Sequence, residues 1–193
     1  MLHHHHRLLL ASQSPHRLRL LSEAGYDVEA VPVAIDEPDP AAFADLDAGL
    51  AQIALLKAHE ARRRGASGLI FAADTVGCVE GKTFGKPRDR ADARRMLQSI
   101  SGTVHEVRSG WCLLRTRDGL ERSGVERTTI RMRIWTEKEL AEYLDSGQWQ
   151  GKSGAYGLEW PHDPFVTEIC GSPSNVIGVP LEKLAQLLTE IGE

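Results

Sequence analysis

Two periodicities alternate along the chain. Arg7–Ala11 and Gly68–Ala73 are unbroken apolar runs of strand length, the pattern of strands buried on both faces. Val28–Val33 predicts a further strand. Between these runs the apolar residues fall at helical spacing. Ser14-Pro15 reads as an N-cap followed by Pro at N1, opening a helix that carries Leu18, Leu21 and Ala24 on one face and stops at Gly25. Phe43, Leu46, Leu50, Ile53, Ala54 and Ala61 form one stripe and predict a long helix over about Ala41–Arg64. Asp89 caps a helix with Ala93, Met96, Leu97 and Ile100 inward, ended by Gly102. Thr136 and Glu139 make a capping box for a helix through Asp145, and Pro180 at N1 opens a closing helix with Leu181, Leu184, Leu188 and Ile191.

Strand signals fill the intervals. Val76–Val79 and Thr83–Phe84 flank a turn at Glu80-Gly81-Lys82, and Val107–Arg115 and Ser123–Ile134 are joined through Asp118-Gly119. Phe165–Ile169 and Asn175–Val179 predict short strands after a Gly/Pro/aromatic loop over Gly151–Pro164. The alternation defines an α/β protein. No repeat, low-complexity block or flexible linker interrupts it, so the expectation is a single domain over 1–193. Residues 1–6, with the run His3–His6, are expected to be a disordered or tag-like terminus and are set aside.

Composition narrows the function. The 193 residues carry 23 Lys+Arg against 27 Asp+Glu, a net charge of -4. That mild acidity argues against a surface for nucleic acid or anionic lipid, so a polyanionic ligand would require a local concentration of positive charge. Cys78, Cys112 and Cys170 lack metal-finger and redox-motif spacing, and a reduced, cytoplasmic compartment is expected. The apolar runs are too short to span a bilayer.

Five places can carry chemistry. The strand–turn–helix junction Ser12-Gln13-Ser14-Pro15-His16-Arg17 offers helix N-terminal N–H groups, two hydroxyls and an arginine to an anion, or is a plain cap. Glycine-rich phosphate loops are absent from the sequence. Asp74 follows an apolar run, at what is expected to be the C-terminal end of a buried strand, where ligand sites of open α/β sheets collect; it caps the turn or acts. In Gly85-Lys86-Pro87 the backbone is constrained around one lysine, which a reversal at Glu80-Gly81 returns toward Asp74–Val76; alone, it is a loop lysine. Lys57 sits on the apolar stripe of its helix and either snorkels or meets an anion. Asp36-Glu37 is a solvated connector or supplies oxygen ligands suited to Mg²⁺ or Mn²⁺. His105 and His162 are isolated, there is no nucleophile elbow, and Trp111, Trp135, Trp149 and Trp160 read as core or interface residues.

Together these segments resemble the Maf-like nucleotide pyrophosphatases from end to end. The matching pieces are LLLASQSPHR (8–17), IDE (35–37), LKA (56–58), AADTV (72–76), FGKPRD (84–89), ARRMLQSISGTVHEV (93–107), KSGAYG (152–157) and SNVIGVPL (174–181). The resemblance implies a mixed twisted sheet with flanking helices and two lobes around a central cleft, similar to the inosine triphosphate pyrophosphatase fold. It implies hydrolysis of nucleoside triphosphates, modified ones included, to monophosphate and pyrophosphate with a divalent cation, a cytoplasmic location and often a homodimer. Carried over by position, the acidic catalytic residue falls on Asp74, the phosphate-binding residues on Ser12, Ser14 and Arg17, the conserved acid on Glu37 and the two lysines on Lys57 and Lys86. Glu37 and Asp74 are the expected metal ligands, and Asp74 and Lys86 the expected catalytic pair. Base-selecting positions fall on His16, Thr75 and Glu159. This trio matches neither the Arg, Thr, Gln set implied for dTTP/UTP enzymes nor the Trp, Gln, Glu set implied for 7-methyl-GTP enzymes. Glu159–Pro164 also departs from the glycine-rich stretch usual in the family. A non-catalytic nucleotide-binding regulator of septum formation and a phosphatase releasing orthophosphate are the rival readings.

Overall fold

The computed structural model describes residues 7–159 and 161–193; the run His3–His6 and Trp160 lie outside them. The elements follow the order β1 (Arg7–Leu10), α1 (Pro15–Glu23), β2 (Asp27–Ala30), α2 (Leu46–Arg63), β3 (Leu69–Val79), β4 (Lys82–Phe84) and α3 (Arg90–Ile100). They continue with β5 (Val104–Arg115), β6 (Leu120–Met132), α4 (Glu137–Asp145), β7 (Val166–Cys170), α5 (Pro173–Ile177) and α6 (Leu181–Glu190). Seven strands form a mixed sheet in the order β2-β1-β3-β5-β6-β7, with β4 paired to β3. β1 runs parallel to β2 and β3, while β3–β4 and β6–β7 are antiparallel. No helix among the described residues is long and apolar enough to cross a membrane.

Two compact units share the chain. The first comprises Met1–Asp74, Ser109–Glu126 and Ile177–Glu193, the second Thr75–Arg108 and Arg127–Val176. In the first, strand parity decides which helix each side chain meets. Leu8, Leu10, Leu69, Phe71, Ala73, Trp111 and Leu113 pack with Leu21 of α1 and with Leu184, Leu187 and Leu188 of α6. The intervening Leu9, Ala11, Ile70, Ala72, Cys112 and Leu114 pack with Ala54, Ala58 and Ala61 of α2. The small residues on α2 allow a close approach: a Cβ on Gly110 of β5 would lie 2.1 Å from the Leu50 carbonyl oxygen. The second unit has its own core, in which Ala93, Met96, Leu97 and Ile100 of α3 and Leu140, Tyr143 and Leu144 of α4 cover Val79, Phe84, Val107, Ile130 and Met132.

Several predicted boundaries move, each for a local reason. The long helix begins at Leu46, not near Ala41, because Asp45 caps it by accepting from Asp47 N–H at 3.0 Å. Phe43 precedes the helix and lies against Gly49. Asn175 belongs to helix α5 and not to a strand: Pro173 opens that helix, and Ser172 Oγ accepts from Asn175 N–H at 3.1 Å. This conformation lets the buried Asn175 amide donate to Val107 O and Thr128 Oγ1, at 3.2 and 3.1 Å, partners that a buried polar group requires. The third correction concerns Asp74. β3 does not end there but runs on to Val79, so Asp74 lies inside the strand and not at its C-terminal end.

Candidate active site

In the first unit the β1–α1 junction is built by its own side chains. Ser14 is the N-cap of α1 and accepts from Arg17 N–H at 3.4 Å. The buried Ser12 hydroxyl oxygen accepts from Ser14 N–H at 3.1 Å and from Arg17 Nη1 at 3.3 Å. Arg17 Nε donates to Gly178 O at 3.0 Å, so the segment just before α6 fixes the guanidinium. Gln13 holds the other side of the turn by donating to Val33 O at 3.0 Å. Ser12, Ser14 and Arg17, expected to bind phosphate, therefore form one hydrogen-bonded turn, with His16 half-buried in the first turn of α1.

The same parity that sorts the core brings Asp74 to α2. Ile70 and Ala72 pack on the α2 side of β3, and Asp74 is next in that register. On α2, Lys57 shares the stripe of buried Leu50, Ile53, Ala54, Ala58 and Ala61. Lys57 Nζ donates to Asp74 Oδ1 at 2.7 Å and forms an ion pair with Glu37 Oε1 at 3.1 Å. Side-chain exposures of 8% for Lys57 and 16% for Asp74 make theirs a buried pair, while Glu37, at 50%, reaches the ammonium from solvent. Arg17 belongs to the same electrostatic cluster. Burial lowers its pKa from the ordinary value, and the charges of Asp74 and, more weakly, Glu37 oppose that fall. Two cations, two carboxylates and two hydroxyls from four stretches of the first unit thus converge.

The remaining expected residues, Thr75, Lys86 and Glu159, belong to the second unit. Its β3–β4 hairpin reverses through Glu80 (φ 48) and Gly81 (φ 77) and pairs Gly77 with Phe84, which carries Gly85 and Lys86 back toward Thr75. Ser153 Oγ donates to Thr75 O at 3.0 Å and Gly154 N–H donates to Gly85 O at 2.9 Å, so one short segment ties both places. Lys86 is exposed. Glu159 is exposed and lines a cavity of about 240 Å³ within this unit. Ser153 and Asp163, which organise these segments, had no assigned role in the sequence; the only signal was that Ser153 lies in the KSGAYG match.

Among the described residues, no group of three His, Cys, Asp or Glu side chains is arranged to hold a metal ion. Glu37 and Asp74 are nonetheless brought to one ammonium, and their hard oxygen donors suit Mg²⁺ or Mn²⁺ if phosphate and water oxygens complete the shell.

The family described as "Maf-like protein" matches residues 7–191. A dTTP/UTP pyrophosphatase from Rhodopirellula baltica is 40% identical over 183 residues, spanning 94% of this chain and 80% of that protein. One from Bdellovibrio bacteriovorus is 37% identical over 188 residues, spanning 95% and 97%, and one from Pyrococcus horikoshii is 34% identical over 185 residues, spanning 96% of each. A solved structure of a nucleoside-triphosphatase / dITP/XTP pyrophosphatase from Mycobacterium abscessus is similar with a TM-score of 0.41 and 21% identity, covering 65% of this chain and 74% of that one.

Proposed function

Because the chain belongs to the Maf-like protein family, we propose that it is an enzyme that hydrolyses nucleoside triphosphates to the monophosphate and pyrophosphate. The observation that carries this reading is the Lys57–Asp74–Glu37 cluster with Arg17 in its field. A triphosphate carries about four negative charges, and phosphoryl chemistry depends on positioning and charge neutralisation. Arg17 and Lys57 are offset by Asp74 and Glu37, so in a chain of net charge -4 the surplus positive charge for the triphosphate is proposed to come from elsewhere at the site. Ser12 and Ser14 offer hydroxyls at the helix N-terminus. Lys86 is proposed as a further cation for the substrate, and His16, Thr75 and Glu159 as the readers of the base.

Asp74, as a carboxylate, accepts a proton from the attacking water. The water oxygen bonds to the α-phosphorus, the bond from that phosphorus to the bridging oxygen of the leaving group breaks, and pyrophosphate departs with the electron pair. Lys57 holds the carboxylate in place and offsets its charge beside the anionic substrate. A divalent cation, held by Glu37 and Asp74, would neutralise phosphate charge. The relatives' names make dTTP and UTP the first substrates to test; Thr75 fits the set expected for them, and His16 and Glu159 do not.

The test is pyrophosphate release by the wild type and by Asp74→Asn, with nucleotide binding measured separately. Loss of the base is expected to lower turnover by about 10²–10⁴-fold while binding persists. Near-normal turnover would remove Asp74 from this role. A wild type that binds nucleotide and releases nothing would support the regulator, and orthophosphate as the product would support the phosphatase.

A further inference from the structure

The cavity of the second unit has a rim organised by one carboxylate. Tyr143, Tyr156 and Phe165 form its apolar wall, and Glu142 and Glu159 stand at its polar edge. A further ring packs on this wall: Trp135 stacks on Phe165 with ring centroids 3.7 Å apart and meets Tyr143 and Tyr156 edge-on. Gly157 N–H donates to Tyr143 Oη at 3.2 Å, so the chain leaves this wall in a fixed direction just before Glu159.

Asp163 then ties the following loop. Its Oδ2 accepts from Glu159 N–H at 2.9 Å, and its Oδ1 accepts from Phe165 N–H at 2.9 Å, from Val166 N–H at 3.0 Å and from the Tyr156 hydroxyl. Four donors converge on this one carboxylate, three of them on Oδ1. Three of the four are the backbone groups of Glu159, Phe165 and Val166, so one side chain ties Glu159 to the start of β7. Burial, and then the bond to Asp163, push the Tyr156 phenol well above its ordinary pKa, which keeps the proton that it donates.

We propose that Asp163 is a positioning residue for base selection, fixing Glu159 at the rim of the Tyr143–Tyr156–Phe165 cavity so that its carboxylate meets N–H donors on the nucleobase. This rests on the reading of the chain as a nucleoside triphosphate pyrophosphatase with Glu159 as a base reader. Asparagine at position 163 keeps one acceptor oxygen but turns the other acceptor into an NH₂ donor, so it either faces Glu159 N–H with a donor or deprives the Oδ1 partners. Glu159 is then displaced, at a cost in stability that the melts read separately.

The experiment measures kcat and KM for dTTP, UTP, CTP and GTP in the wild type, Asp163→Asn, Glu159→Ala and the double variant, alongside thermal melts. In Asp163→Asn the ratio of kcat/KM between the best and worst nucleotide is expected to fall about tenfold, through KM more than kcat. In the double variant it should fall no further than in Glu159→Ala. If Asp163→Asn does not fold, Tyr156→Phe, which removes one donor and leaves the carboxylate, is expected to lower the ratio about threefold. An unchanged ratio in whichever variant is folded overturns the proposal, as does a wild type that hydrolyses all four nucleotides equally well. A wild type that releases no pyrophosphate from any of them overturns the functional reading itself, and the proposal with it.

Discussion

Replacing Lys57 by methionine removes a cation from between two carboxylates without removing much apolar stem, and its cost follows from the geometry. Lys57 Nζ lies 2.7 Å from Asp74 Oδ1, with both side chains largely out of water. At an effective dielectric of about 20 the gross attraction of two charges at that distance is about 6 kcal/mol, and desolvation takes back a part of it. Losing one partner of a buried pair costs about 3–5 kcal/mol, because the other charge is left without its counter-ion. Glu37 is half exposed, so its own pair contributes no more than about 1 kcal/mol. The variant also leaves Asp74 and Glu37 with no ammonium between them, and Arg17 offsets only part of that repulsion. The expected loss for Lys57→Met is about 3 kcal/mol, read as a lower urea midpoint at unchanged m-value, or a fall in melting temperature of roughly 10 °C for a chain of this size. Asp74→Asn should cost less, since Lys57 keeps Glu37. In the double variant no buried charge is stranded at this pair, so it should recover at least half of the stability lost by Lys57→Met, though not the turnover. Lys57→Met within about 1 kcal/mol of wild type would refute the view that Lys57 is what allows Asp74 to sit inside the strand.

Two further outcomes test the surrounding fold. Burial lowers the His105 pKa from 6.5 to about 4. The unfolded chain binds the proton below 6.5 and the folded chain only below about 4, so this contribution is full above pH 6.5 and declines as pH falls from 6.5 to 4, by up to about 1.4 kcal/mol per pH unit. His105→Gln should therefore narrow the difference in urea midpoint between pH 7.5 and pH 4.5; an equal difference would assign the acid lability to other groups. Gly110→Ala sets a methyl against the backbone of α2 at Leu50 and is expected to cost at least about 2 kcal/mol, measured by chemical denaturation, whereas a neutral result would show that α2 shifts freely over β5.

Much of this architecture was readable because its signals are local. The Ser14 cap, the Asp89 cap and the Thr136–Glu139 capping box all appear where the residue types place them, since each bond joins groups within one turn. The reversal at Glu80-Gly81 was legible for the same reason. Lys57 was visible as an anomaly on an apolar stripe, and Asp74 as a charge after an apolar run. That the two were each other's answer was not visible, because seventeen residues separate them and nothing in either segment names the other.

By itself, then, the amino-acid order determined the α/β class, the caps and turns, and the residue types available for chemistry on phosphate. The tertiary structure decided which polar groups belong inside. β3 passes through Asp74 because α2 lays Lys57 against that face of the strand. Asn175 becomes helical because Ser172, Thr128 and Val107 accept its hydrogen bonds. The physical reason is common to both. Propensity and periodicity act between near neighbours, whereas the cost of burying a charge or an amide depends on partners that only folding brings within 3 Å or so.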